Sequence, residues 1–183
     1  LIVDLHGNIR SLMARKLLTA NEVVTYPKRS GVRRKLVRNK KIPSVYPHTI
    51  DAYNQTCLDL GKKIFAKRPL IKTVPHNDST VTSFMERHER TGVIAPVAAH
   101  KTKQYPIEKF AEVARLLAED KKTGIIWMIT GVDKGKVDLN KVLPQRSYLE
   151  LCDYPLQKLC TVIEQADLLI ANDSGLSHIG SAV

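Results

Sequence analysis

Leu168-Leu169-Ile170-Ala171-Asn172-Asp173-Ser174-Gly175-Leu176-Ser177-His178 reads as an apolar strand that breaks into a small polar turn and then a helix start. A strand ending this way leaves backbone N–H groups pointing outward where the helix begins. Those orphan donors and the helix dipole both favour negative charge, so the turn suits a phosphate. Asp173 and His178 add an acceptor and a donor at the same mouth. The plain alternative is a helix capped by Asp173 or Ser174 that holds no ligand.

Working outward, the second half of the chain repeats the same grammar. Val93–Ala98 is a short apolar strand, Pro106 opens a helix with Phe110, Val113, Ala114 and Leu117 on one face, and Gly124–Thr130 is the next strand. Tyr148–Leu151, Leu156–Gln165 and Asp167–Asn172 read as strand, helix and strand. Three polar turns follow these strands: Ala99–Lys103, Gly131-Val132-Asp133 and Asp173-Ser174-Gly175. In an open parallel sheet that carboxyl edge is where ligands bind. Lys103 stands just before the helix, placed to neutralise a phosphate held by the amides of Ser174–Leu176, and Asp133 suits a ribose hydroxyl pair.

The first half opens with the strand Leu1-Ile2-Val3, the turn Asp4–Asn8, a helix over Ile9–Leu18 and a strand over Glu22–Tyr26. This is again the strand–helix–strand unit of a parallel sheet. A basic loop follows, then a helix over Thr49–Leu60, a linker over Lys72–Ser79 marked by Pro75, Asn77 and Asp78, and a helix over Thr80–Arg90. The pattern predicts two α/β domains, residues 1–91 and 92–183, both incomplete, with the chain cut from something larger.

The formal net charge of +11 is uneven. Leu1–Thr91 holds 18 Lys+Arg against 7 Asp+Glu, and Gly92–Val183 holds 11 against 11. The excess gathers at Lys28-Arg29, Arg33-Arg34-Lys35, Arg38 and Lys40-Lys41, which suggests an anionic partner. That tract lacks interleaved aromatics and matches no nucleic-acid motif, so no nucleic acid is expected, although a basic nucleic-acid-binding module remains the rival reading. No apolar run approaches the roughly 20 residues of a membrane span, and no signal peptide opens the sequence. Cys57, Cys152 and Cys160 show no ligand spacing; a cytoplasmic protein with neither metal nor cofactor is the expectation.

Three stretches carry a family resemblance: Asp4-Leu5-His6-Gly7-Asn8-Ile9-Arg10-Ser11, Lys103-Gln104-Tyr105-Pro106-Ile107-Glu108-Lys109-Phe110, and Asn172 through His178. In order and spacing the chain resembles glycosyltransferase family 9, the ADP-heptose:lipopolysaccharide heptosyltransferases and their relatives. The resemblance implies a GT-B architecture of two Rossmann-like domains, the first binding the acceptor and the second the sugar nucleotide. It implies inverting transfer from a nucleoside-diphosphate sugar, ADP-linked, to an anionic glycolipid. Peripheral contact with the cytoplasmic face of the inner membrane is compatible with the charge.

On that resemblance Lys103 matches a lysine on the donor diphosphate and Asp173 the acid near the donor sugar, the two catalytic assignments. Thr102, Asp133, Ser174, Gly175, Leu176 and His178 complete the donor side. His6, Arg10, Arg33 and Arg34 are acceptor-side candidates. Two departures are visible: Ala98-Ala99 replace hydroxyl residues, and Gly131–Lys136 is more basic than the usual turn. The family's proposed general base falls before Leu1, so the 183 residues alone are expected to be inactive. Another GT-B nucleotide-sugar enzyme, such as a sugar epimerase, remains open.

Overall fold

Thr123–Ile129 (β4) is buried along its whole length, and its side chains alternate between two cores. Ile125, Trp127 and Ile129 face one of them, Ile126 and Met128 the other. A strand covered on both sides needs an unbroken apolar run, and Ile125-Ile126-Trp127-Met128-Ile129 supplies it. The computed structural model describes residues 1–39, 48–64, 68–75, 78–144 and 146–183. Lys40, Lys41 and Asn77, named above, lie outside the described residues.

Around β4 stand Arg90–Ala95 (β3), Tyr148–Cys152 (β5) and Leu168–Ala171 (β6), all parallel, in the order β5-β4-β3-β6. Ile107–Ala118 (α5) covers one face through Phe110, Ala111, Ala114 and Ala118. On the other face Leu156–Gln165 (α7) contributes Val162 and Ile163, and Ser79–Glu86 (α4) contributes Val81 and Phe84. Each fully buried side chain of this size stabilises the fold by about 1.5–3 kcal/mol. The chain moves from β3 to β4 to β5 in one direction, then crosses to lay β6 on the far side of β3. That reversal opens a crevice at the carboxyl ends of β3 and β6.

The first compact unit is residues 1–69 and the second is residues 70–183. The division expected at Gly92 therefore moves upstream. Val81 is 2% exposed and Phe84 1% exposed against Val93 and Ile126, so α4 belongs to the second core. Gly92 sits buried inside β3 rather than at a joint. β3 also starts earlier than expected and ends at Ala95, because Pro96 has no N–H to continue a ladder. Leu139–Val142 (α6) was not anticipated.

In the first unit, Ile2–Asp4 (β1) and Val23–Thr25 (β2) pair in parallel, joined through Ile9–Leu17 (α1). Asp4, 5% exposed, anchors the turn between β1 and α1: its Oδ1 accepts the N–H groups of His6 and Gly7, each at 2.9 Å. Arg15 Nε stands 3.1 Å from Asp4 Oδ2 without hydrogen-bond alignment, while its Nη1 donates to Thr25 Oγ1 at 2.6 Å. Gly7 holds φ at 53°, a left-handed value that favours glycine. Asn8 then caps α1 in a reciprocal box with Ser11.

The basic loop is corrected. Ser30–Asn39 (α2) is a helix with no buried residue, followed by Thr49–Asp59 (α3). Arg, Lys and Leu are good helix formers, and the run contains no proline; charge density alone does not distinguish a loop from an exposed helix.

Candidate donor site at the carboxyl edge of the sheet

Asn172 ties the crevice together. It is 6% exposed at the end of β6. Its Nδ2 donates to the Pro96 carbonyl at 2.5 Å and its Oδ1 accepts the Tyr105 N–H at 2.9 Å. Its own N–H donates to the Ala95 carbonyl at 3.3 Å. One amide thus joins the turn after β6, the turn after β3 and the approach to α5. Gln104 Nε2 closes the same loop by donating to the Ala98 carbonyl at 2.6 Å.

Within that frame Lys101–Lys103 forms a single 3-10 turn, and Lys103 Nζ donates to Asp173 Oδ2 at 2.5 Å. Both side chains are about half exposed, 46% and 59%. The Lys103 ammonium, by hydrogen bond and then by charge, holds the Asp173 carboxyl below its ordinary range. His178 Nε2 lies 3.8 Å from the other oxygen, Asp173 Oδ1. Thr102, in the same short turn, is exposed.

Ser174 precedes Gly175–Gly180 (α8), a helix of 6 residues. Ser177 Oγ accepts the Ser174 N–H at 3.2 Å and donates to its carbonyl at 2.7 Å. The Ser174 hydroxyl oxygen is buried and faces the Ser177 backbone N–H in the capping-box position, without the alignment of a full hydrogen bond. A Cβ placed on Gly175 would meet nothing within 4 Å. No neighbour demands a glycine there; the open space lets a ligand approach the backbone. Gly180 is the opposite case, since a Cβ there would collide with Leu169 Cδ2.

Two cavities open at this edge and share Val97. One, of about 390 Å³, is mostly apolar, with Met128, Leu151, Tyr154, Leu159 and Leu176 in its walls and Thr130 and Asp153 at its polar side. The other, of about 300 Å³, is lined by Lys101, Gln104, Tyr105, Asp133 and Lys136. Asp133 is already engaged: Oδ2 accepts the Thr130 hydroxyl at 2.6 Å and Oδ1 stands 2.5 Å from Lys136 Nζ. The Lys136 hydrogen bond, then that of Thr130, pulls its carboxyl below the ordinary range. Both carboxylate oxygens of Asp133 are thus held within their own turn.

The structure therefore brings together Lys103, Asp173, Ser174, Gly175, Leu176 and His178. Asp133 stands in the second cavity. In the first unit, Arg10 and Arg34 line a cavity of about 730 Å³ with Arg15, Lys28, Thr25 and Tyr26. His6 and Arg33 are exposed and do not line it; the His6 backbone N–H donates to Asp4 Oδ1. Sequence reading missed Asn172 as the clamp, and Asp153 and Tyr154 as cavity walls. Asp153 has φ of 49°, and its two carboxylate oxygens each accept the Gly131 N–H at 3.0 Å. The signal for these was a buried-looking Asn after an apolar strand and an Asp before a Tyr-Pro helix start, both local, while their partners are far away in sequence. Among the described residues no group of three or more His, Cys, Asp or Glu could hold a metal ion, and no helix is long and apolar enough to cross a membrane.

A parallel sheet whose strand order reverses between β3 and β6 defines an open α/β fold, of the kind that binds ligands at that edge. The family model for glycosyltransferase family 9 (heptosyltransferase) matches residues 4–183, and the chain belongs to that family. Among solved structures it is similar to a family 9 glycosyl transferase from Veillonella parvula, at 18% identity and TM-score 0.68, covering 98% of this chain and 53% of that one. It is also similar to E. coli heptosyltransferase WaaC with ADP, at 17% identity and TM-score 0.58, covering 98% of this chain and 58% of that one. WaaC with ADP-2-deoxy-2-fluoro heptose matches at 17% identity and TM-score 0.51, over 76% of this chain and 43% of that one. These likenesses establish the fold, α/β with parallel sheets as in GT-B glycosyltransferases. The chain spans little more than half the length of the first two. No curated protein sequence matches it.

Proposed function

We propose that the protein transfers a sugar, heptose or a close relative, from an ADP-linked donor to an acidic glycolipid of the lipopolysaccharide-core type, with inversion at the anomeric carbon. The observation that carries this reading is the Lys103 ammonium 2.5 Å from Asp173, beside the open backbone of Gly175. Family membership and the ADP and ADP-sugar carried by WaaC in its structures support it.

In this reading an acceptor hydroxyl gives up its proton to a general base as its oxygen attacks the anomeric carbon, and the nucleoside diphosphate leaves. Negative charge gathers on the departing phosphates while the sugar becomes oxocarbenium-like. Lys103 and the first amides of α8, at the turn of Ser174 and Gly175, meet the phosphates, which stabilises the transition state more than the ground state. Thr102 adds a hydroxyl beside Lys103, and Leu176 borders the cavity for the base. Asp173 turns from Lys103 to the sugar hydroxyls, with His178 on its other oxygen. Asp133 takes the ribose by giving up Lys136. The cavity lined by Arg10, Arg15, Lys28 and Arg34 receives acidic groups of the acceptor, with His6 and Arg33 at the same unit's surface. That surface, with α2, makes peripheral contact with an anionic membrane face in the cytoplasm.

The test is a binding series with ADP, UDP, GDP and a generic DNA duplex at several salt concentrations. Saturable binding of ADP with duplex affinity negligible at physiological salt supports the transferase. Tight duplex binding that collapses with salt, together with no nucleotide binding, overturns it in favour of a nucleic-acid module.

A further inference from the structure

Residues 71–74 lie along α7 and the turn after α8. Ile71 N–H donates to the Ala182 carbonyl at 2.8 Å, the Thr161 hydroxyl donates to the Val74 carbonyl at 2.9 Å, and Thr73 Oγ1 bonds Glu164. Asp78 has two oxygens that do different things. Oδ1 accepts the N–H groups of Thr80 and Val81 at 3.1 and 3.3 Å and so caps α4. Oδ2 accepts the phenol hydroxyl of Tyr154 at 2.6 Å.

Tyr154 stands just before Pro155, which opens α7, and it walls the apolar cavity beside Leu176. The Lys158 ammonium lies 5.6 Å from its ring centroid. The side chain is thus fixed at its hydroxyl and at its ring. Burial first, and then the Asp78 hydrogen bond, push the Tyr154 phenol above its ordinary range.

We propose that Asp78 is a positioning residue of the donor site: by holding the Tyr154 hydroxyl it keeps that ring in place as the wall that receives the nucleobase. The inference rests on the nucleotide-donor reading above. An aromatic ring already ordered before the ligand arrives spares the ligand the cost of ordering it. The ring supplies a flat apolar surface to a heteroaromatic base, while the hydroxyl keeps a partner of its own. Asp78 touches no ligand in this arrangement; it acts through Tyr154.

The experiment is calorimetric titration of ADP, and separately of inorganic pyrophosphate, into the full chain and its Asp78→Ser, Tyr154→Phe and double variants. Serine retains a capping oxygen for α4 but is too short to keep the phenol, so helix loss is kept apart from the effect sought. Each single change is expected to weaken ADP about three- to tenfold, the worth of one hydrogen bond. Pyrophosphate affinity stays unchanged, and the double variant is no weaker than either single one. Equal losses for both ligands, additive losses in the double variant, or no loss for ADP overturn the inference alone. If Asp78→Ser fails to fold, Tyr154→Phe with the two ligands decides by itself. A wild-type chain that binds neither ligand overturns the donor reading, and this inference with it.

Discussion

Lys103 and Asp173, 70 positions apart in sequence, meet at 2.5 Å across the mouth of the sheet. Each sits on a turn that follows a strand, β3 and β6, and those strands are neighbours only because the strand order reverses there. An ion pair this exposed contributes little to stability. In the donor reading proposed above its value is positional, since it holds a cation where a diphosphate would displace the carboxylate.

Neutralising the carboxylate separates binding from chemistry. In Asp173→Asn the lysine no longer has a charged competitor for the phosphates. ADP affinity is expected to hold or to rise by a few-fold, while the sugar transfer proposed above falls by about tenfold or more. A calorimetric Kd for ADP alongside kcat distinguishes the two. Weaker ADP binding with unchanged kcat would contradict the assignment.

Much of the second unit was legible in the sequence because its signals are local. Apolar runs, the Pro106 start and the small residues at 173–175 each report their own neighbourhood. The crevice was legible too, since polar turns after parallel strands must gather at one edge. What could not be read were the contacts that fasten it: Asn172 reaches Pro96 and Tyr105, 76 and 67 positions away, and Tyr154 reaches Asp78, 76 positions away. No periodicity encodes those. The boundary moved for a related reason: Val81 and Phe84 show helical spacing, but nothing local says which core they enter. In α2 the basic residues mark exposure, which a helix and an irregular loop share.

Removing the clamp should cost stability and the site together. Asn172→Ala leaves the Tyr105 N–H and the Pro96 carbonyl without their partner. A loss of about 2 kcal/mol is expected in denaturant unfolding, with weaker ADP binding besides. A variant as stable as wild type would mean that the turns hold themselves in place.

Gly175→Ala separates fold from ligand. The new methyl meets no protein atom within 4 Å, so the melting temperature should stay within about 2 °C of wild type. ADP affinity should drop at least several-fold, because the methyl takes up the approach to the backbone. Unchanged affinity would show that the diphosphate lies elsewhere.

Phe84→Ala tests the boundary near Pro69. Phe84 is 1% exposed in the core of β3 and β4, and its truncation should destabilise the second unit by about 3–5 kcal/mol. The unfolding of that unit, followed by Trp127 fluorescence, reads the change. A loss under 1 kcal/mol would place α4 outside that core.

Acidification has a defined sign. The Tyr154 hydrogen bond, with further help from the Val81 and Thr80 amides, holds the Asp78 carboxyl below its ordinary value of 3.8. A depressed carboxyl contributes stability above that ordinary value and loses it as pH falls through the depressed one. Tyr154 is shifted upward from 10.0, so its contribution is complete below pH 10 and fades only as pH rises through the raised value. The Asp78–Tyr154 bond should therefore add a constant increment to unfolding free energy between about pH 5 and pH 9. A difference between wild type and Tyr154→Phe that varies inside that window would count against it.

The most direct measurement is the affinity for ADP of the full chain and of its Lys103→Ala variant, by calorimetry at fixed salt. Loss of a charge-assisted contact to a phosphate predicts binding weakened about tenfold or more, with an unaltered thermal melt. Equal ADP affinity in the two proteins would contradict the account at its centre.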